Sequence, residues 1–200
     1  MYRKSYLCVC EGQQEKLYLE HVAKLIKNFP EKVVKFNCYI DNPHRLNKLY
    51  EETDCGVLFD FDFKRRRFEN SIILCEKLHR ERRNQNIYHA YSNVNFDLWL
   101  ILHKQDYNRC VSRNNAYVND VKRVYNLNGN DDIKKERINK KILDQITLSD
   151  VKNAIERAER IKGSKPETDV VIIGNTKTYP NPDFSLHEFL KIVLQDSGDL

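Results

Sequence analysis

Four short apolar runs, separated by helix-length segments, occupy the first half of this 200-residue chain and constrain its fold more than any other feature. Ser5–Cys10, Val33–Ile40, Gly56–Asp62 and Ile87–Ser92 have the length and residue types of strands. Between the first two, Tyr18, Val22, Leu25, Ile26 and Phe29 recur at helical spacing until Pro30 stops the pattern. A short helix carrying Leu46 and Leu49 is predicted after Pro43, and a charged helix over 67–84. Parallel strands need crossover connections, and helices supply them, so the alternation predicts a mostly parallel four-stranded sheet with helices on both faces.

The remainder completes a single domain over 1–200, with a core over 1–103. A helix from Asn95 to about His103 is apolar almost all round, which predicts burial and makes Trp99 a core residue. Residues from about 104 to 148 are polar and Asn-rich, and read as a helical insertion with a loop over 126–132. Residues 149–200 form a helix–strand–helix unit: Ser149 is the predicted cap of the first helix, Val170–Ile173 is the strand, and Pro180 and Pro182 precede the closing helix.

With 40% apolar and 32% charged residues, the chain has a globular composition. Its longest apolar run, Leu98–Leu102, is too short to span a bilayer, and the first residues lead into a strand and not a signal peptide. A cytoplasmic location without a membrane partner is expected. The net charge of +5 permits a polyanionic partner without requiring one. Cys8, Cys10, Cys38, Cys55, Cys75 and Cys110 lack zinc-site spacing and fit reduced thiols.

In a parallel α/β sheet, ligands bind where strand carboxyl ends meet helix N-termini. The acidic residues concentrate there. Glu11 follows the first strand, with Glu15 one helical turn on; Asp60 and Asp62 end the third strand; Asp97 lies just after the fourth. Two carboxylates two apart on a strand share a face and repel unless a cation neutralises them, and Mg²⁺ prefers such hard oxygen ligands. Lys64, Arg65, Arg66 and Arg67 follow directly and suit phosphate contacts. Each feature also has a plain reading: solvated strand ends, first-turn acids matching the helix dipole, a solvated helix start. His103 reads equally as a polar cap or a substrate contact, and Asn93 and Asn95 as caps.

The segments Cys10–Glu15 with Tyr18, Leu58–Asp62, Ser92–His103, Ala154–Ala158 and Asn181-Pro182 with His187 keep the order and types of one family. The chain thereby resembles RloB-like and AbiLii-like proteins. That resemblance implies a Toprim fold, a Rossmann-like α/β arrangement in which a Glu after the first strand and an Asp-x-Asp on the third hold Mg²⁺ (or Mn²⁺) for phosphodiester chemistry. Carried over, Glu11, Asp60 and Asp62 are the catalytic metal site, and Glu15 and Asp97 complete a second, giving two ions. It also implies anti-phage defence, a nucleic-acid substrate (RNA, including tRNA, or DNA) and a partner ATPase; a homodimer is a reasonable expectation. Val94, Asp97 and Gln14 stand where Pro, Glu and Thr are usual. A catalytic lysine has three candidates in the sequence: Lys64, Lys165 and Lys177.

Two other readings compete. A haloacid dehalogenase-type phosphatase would use Asp60 as nucleophile and Asp62 as acid, leaving Glu11 without a role. A catalytically silent nucleic-acid-binding or regulatory subunit would keep the fold and the basic segment without needing metal.

Overall fold

A computed structural model describes residues 2–26, 32–43, 46 and 53–200. Phe29, Pro30 and Leu49, used in the periodicity argument, lie outside the described residues. Strands β1 (Tyr2–Cys10), β2 (Lys32–Ile40), β3 (Asp54–Asp60) and β4 (Ile87–Asn93) form the predicted parallel set. Helices α1 (Gln13–Leu25), α2 (Arg65–Glu81) and α3 (Phe96–Leu102) follow β1, β3 and β4. The protein is a Rossmann-like α/β domain.

Alternation along β1 builds two cores. Cys8 and Cys10 face one side with Tyr18, Trp99 and Phe189, while Leu7 and Val9 face the other with Phe68, Ile72 and Cys75 of α2. Gly56 on β3 is required by packing: a Cβ there would stand 2.5 Å from the Phe189 ring. All six cysteines are free; four are buried, Cys38 is half-buried and Cys110 is exposed. Among the described residues, no helix is long and apolar enough to cross a membrane.

Three expectations are corrected. The sheet has five strands and not four, in the order β2-β1-β3-β4-β7, because β7 (Asp183–Phe184) pairs antiparallel with β4. Two residues behind Pro182 are too short to register as a strand in the sequence. The predicted strand at Val170–Ile173 does form, as β5 (Val171–Ile173), but pairs with β6 (Thr176–Thr178) in a separate hairpin. Its turn uses Gly174 at φ 60°, and Glu76 of α2 accepts hydrogen bonds from the Asn175 amide and Thr176 hydroxyl. Third, α6 (Leu148–Gly163) is capped by Thr147 through a capping box with Asp150, so Ser149 lies inside the helix.

The insertion contains α4 (Val118–Val124) and α5 (Glu136–Leu143), which pack through Val121, Ile138 and Ile142 onto the core containing Trp99. The closing helix is α7 (Leu186–Ser197). His103, at the end of α3, is buried: its Nδ1 bonds the Trp99 carbonyl at 2.9 Å and its Nε2 the Tyr18 hydroxyl at 3.0 Å. It braces α3 against α1 and is not placed to meet substrate.

Burial pushes the His103 pKa down to about 4, against about 6.5 in an unfolded chain. The unfolded state therefore takes up a proton first as pH falls. Stability from the neutral ring is complete above about pH 6.5 and is lost progressively toward pH 4, by an amount on the order of 3 kcal/mol. Urea melts of the wild type and His103→Gln at pH 7 and 4.5 measure this; an equal pH dependence in both would exclude His103 as its source.

Candidate active site

The acidic residues meet at the carboxyl edge of the sheet. The Glu11 amide donates to the Leu58 carbonyl at 3.1 Å, which seats Glu11 beside β3. Its Oε2 accepts the Asp60 amide at 3.2 Å, and its Oε1 pairs with Arg67 at 2.7 Å. Gly12 opens α1, and a Cβ there would stand 2.9 Å from Glu15 Oε2. A glycine at this turn lets the buried Glu15 carboxylate fold back over the chain. Asn95 caps α3, accepting the Asp97 amide at 3.2 Å, and holds the Asp97 side chain inward, only 1% exposed.

Asp60 is the last residue of β3, but Asp62 is beyond it. The Phe61 amide reaches the Ser92 carbonyl and the Asp62 amide the Val94 carbonyl, after which Asp62 and Phe63 turn through left-handed backbone at φ 48° and 55°. The two aspartates are thus not successive same-face residues of one strand. Two consecutive non-glycine residues in this region cost roughly 1–2 kcal/mol each, a strain offset by the surrounding hydrogen bonds. Asp62 instead lies 3.5 Å from Lys64 at the start of the basic segment.

A residue the sequence reading missed organises the cluster. Lys134, just before α5, donates to Asp97 Oδ1 and to Gln14 Oε1, each at 2.8 Å. Burial opposes its charge, but Asp97, Asp60 and Glu15 outweigh this and raise its pKa. None of the three lysines named from sequence takes this place; Lys165 bonds the Pro180 carbonyl and Lys177 pairs with Glu167. The available signal was Ile133, a solitary apolar residue in a polar loop, which is buried and pins Lys134 to the site. Gln14, standing where Thr is usual, serves as a second acceptor for that lysine.

The electrostatics fit like charges forced together. Burial pushes Asp60 well above the carboxylate range, and Glu15 and Asp62 add to the push while Lys134 opposes it. Burial raises Glu15 to about 7; its own backbone amide and Lys134 pull it down, Glu11 and Asp97 push it up. Among the described residues, no group of three His, Cys, Asp or Glu side chains is placed to hold a metal ion as it stands. Arg67 and Lys134 hold Glu11 and Asp97 instead. As a donor set, the cluster is all hard oxygen and short of positive charge, which suits Mg²⁺ in kind, once these two flexible cations yield.

The other predicted residues divide. Arg65 pairs with Glu69 at 2.7 Å and Arg66 is exposed, both on the rim. Asn93 is buried on the opposite face of the sheet from Glu15 and Asp97; its Nδ2 donates to the Tyr179 carbonyl at 3.1 Å.

The chain is therefore a Rossmann-like α/β protein with an acidic, lysine-bridged cluster at the carboxyl edge of its sheet. Over residues 6–183 it matches the family described as RloB-like protein, and it belongs to that family. Neither the curated proteins nor the solved structures contain a match to it.

Proposed function

We propose that this chain is a Toprim-type nuclease that hydrolyses phosphodiester bonds of nucleic acid with Mg²⁺ or Mn²⁺. The observation that carries this reading is the convergence of Glu11, Glu15, Asp60 and Asp97 at one sheet edge, with Lys134 among them and Arg67 beside them. Asp60, Glu15 and Asp97 would hold the cation, with Glu11 and Asp62 at its border. The divalent ion supplies Lewis-acid activation of water and neutralises charge on the scissile phosphate. Arg67, Arg66 and Lys64 bind flanking phosphates. Lys134, charged and freed from Asp97, offers a proton to the leaving oxygen. A partner ATPase and a role in bacterial anti-phage defence extend the proposal from the family resemblance.

The silent-subunit reading draws on one observation: Arg67 and Lys134 already neutralise Glu11 and Asp97. The phosphatase reading fits less well, since it leaves Glu11, which accepts the Asp60 amide, without a role.

The test incubates purified protein with tRNA, single-stranded RNA and supercoiled plasmid, in Mg²⁺, Mn²⁺ or EDTA, beside Glu11→Gln. Cleavage lost in EDTA and reduced about 10–100-fold in Glu11→Gln is expected, in line with loss of a group that orients a metal site. Cleavage indifferent to EDTA and to the substitution would refute the assignment. With no cleavage at all, Mn²⁺ calorimetry separates a gated enzyme, which binds the ion, from a silent subunit, which does not.

A further inference from the structure

A cavity of about 290 Å³ opens between α2 and the β5–β6 hairpin, on the α2 side of the sheet. Its walls are apolar and largely aromatic: Phe61, Phe68, Val171, Ile173 and Tyr179. Polar side chains line it too: Arg65 and Glu69, paired at 2.7 Å, with Thr178, Asn181 and Asn93. Asn93 is 6% exposed, and its Oδ1 has no hydrogen-bond partner, although its Nδ2 is committed to the Tyr179 carbonyl. That commitment fixes the amide, because a flip would set two carbonyl oxygens against each other. Among the lining side chains, Asn93 Oδ1 is thus a buried acceptor of defined direction without a partner, and a buried acceptor left unmatched costs about 1–3 kcal/mol.

Three observations say what fits. The volume lies at the lower end of small-ligand pockets and accommodates one ring system, not a peptide segment. Aromatic walls favour a flat π-face. Arg65 lies on the rim, paired with Glu69, and Lys64, Arg66 and Arg67 follow one another beside it at the start of α2, which makes this stretch rich in cations. Flat, apolar on its faces, N–H-bearing at its edge and tethered to phosphate describes a nucleotide. Phe61 directly follows Asp60 at the carboxyl edge, so the cavity lies across that edge from the acidic cluster, on the opposite face of the sheet.

We infer that this cavity is a nucleobase-binding subsite, taking an unstacked base of the single-stranded nucleic acid whose backbone crosses the acidic edge, with Asn93 Oδ1 accepting from the base. The inference rests on the nuclease reading for the identity of the strand, but it is tested by binding and not by cleavage. The site selects strands that can splay a base, such as loops and single-stranded ends, over continuous duplex.

The experiment measures fluorescence anisotropy of a labelled ten-nucleotide single strand and of an abasic strand with the same phosphates. Both are run in EDTA and again with Ca²⁺. Wild-type protein is expected to bind the base-bearing strand about tenfold more tightly. Val171→Trp, at an exposed position on the cavity mouth, fills the entrance and is expected to erase that difference while keeping the salt-dependent phosphate affinity. Phe61→Ala removes a wall and is expected to do the same, so the test holds if one variant folds poorly by circular dichroism. Equal binding of the two strands by wild type, a base preference that survives both variants, or no binding of either strand overturns the proposal. The nuclease reading fails separately, through cleavage insensitive to EDTA and Glu11→Gln, and that result leaves a measured base preference standing.

Discussion

Lys134→Met lowers metal-dependent cleavage about a thousandfold while tightening Mn²⁺ binding: that is the expected result if the acidic edge is the reaction centre. Lys134 is the one cation among the described residues that bonds Asp97 directly, at 2.8 Å, and it also acts on Asp60 and Glu15. A like-charged ammonium in this cluster opposes a dication, so methionine of similar length relieves repulsion and raises affinity. The same change deletes the proton donor and local positive charge, and general-acid contributions of this kind amount to about 10²–10⁴-fold. Opposite movement of the two readouts is diagnostic. A purely structural lysine would weaken both, and a lysine outside the chemistry would change neither. Calorimetry with Mn²⁺ and single-turnover cleavage, each on protein whose folded state is checked by circular dichroism, decide among these. Asp60→Asn serves as the contrasting variant, since loss of a ligand should weaken binding and cleavage together.

The second large effect is on the fold. Trp99→Ala is expected to cost about 3–5 kcal/mol, the usual range for truncating a buried tryptophan and a large part of the stability of an ordinary domain. Trp99 is fully buried, with edge-on contacts to Tyr18 of α1 and His103 and a tilted contact to Phe184 of β7. It joins α1, α3 and the fifth strand, so its loss leaves a cavity that no single neighbour can close. Trp99 is the sole tryptophan, so urea unfolding must be followed by circular dichroism in the variant. Trp99→Phe should restore more than half of the loss, since most of the apolar contact returns. A loss below about 1 kcal/mol in Trp99→Ala would mean that the core does not depend on this ring. Because Asp97 lies two residues upstream on α3, the alanine variant should also bind Mn²⁺ more weakly in proportion to its disorder.

The acidic edge shows which parts of a site are readable from sequence. Glu11, Glu15 and Asp97 were legible because strand ends and helix starts are marked by period changes, and parallel topology brings all those points to one edge. Asp60 was legible for the same reason. The relation between Asp60 and Asp62 was not. An alternating pattern continues through Phe61 and Asp62 as if the strand continued, while the hydrogen bonds to Ser92 and Val94 turn the chain into left-handed backbone. The fifth strand carries no readable period, since it is two residues long, and the pairing of β5 with β6 in a separate hairpin is likewise not marked in the sequence.

The sequence alone determined the class of fold, the parallel arrangement of its first four strands and the edge at which its carboxylates gather. Those depend on local periodicity, which each segment carries within itself. Only the tertiary structure decided which cation meets them and what lies on the far side of the sheet. Lys134 is separated from Asp97 by 37 positions and from Gln14 by 120, and no local pattern encodes such an encounter. The cavity beside Asn93 likewise needs α2, β4 and a hairpin from the end of the chain. A site assembled from distant segments exists only after packing has chosen their neighbours.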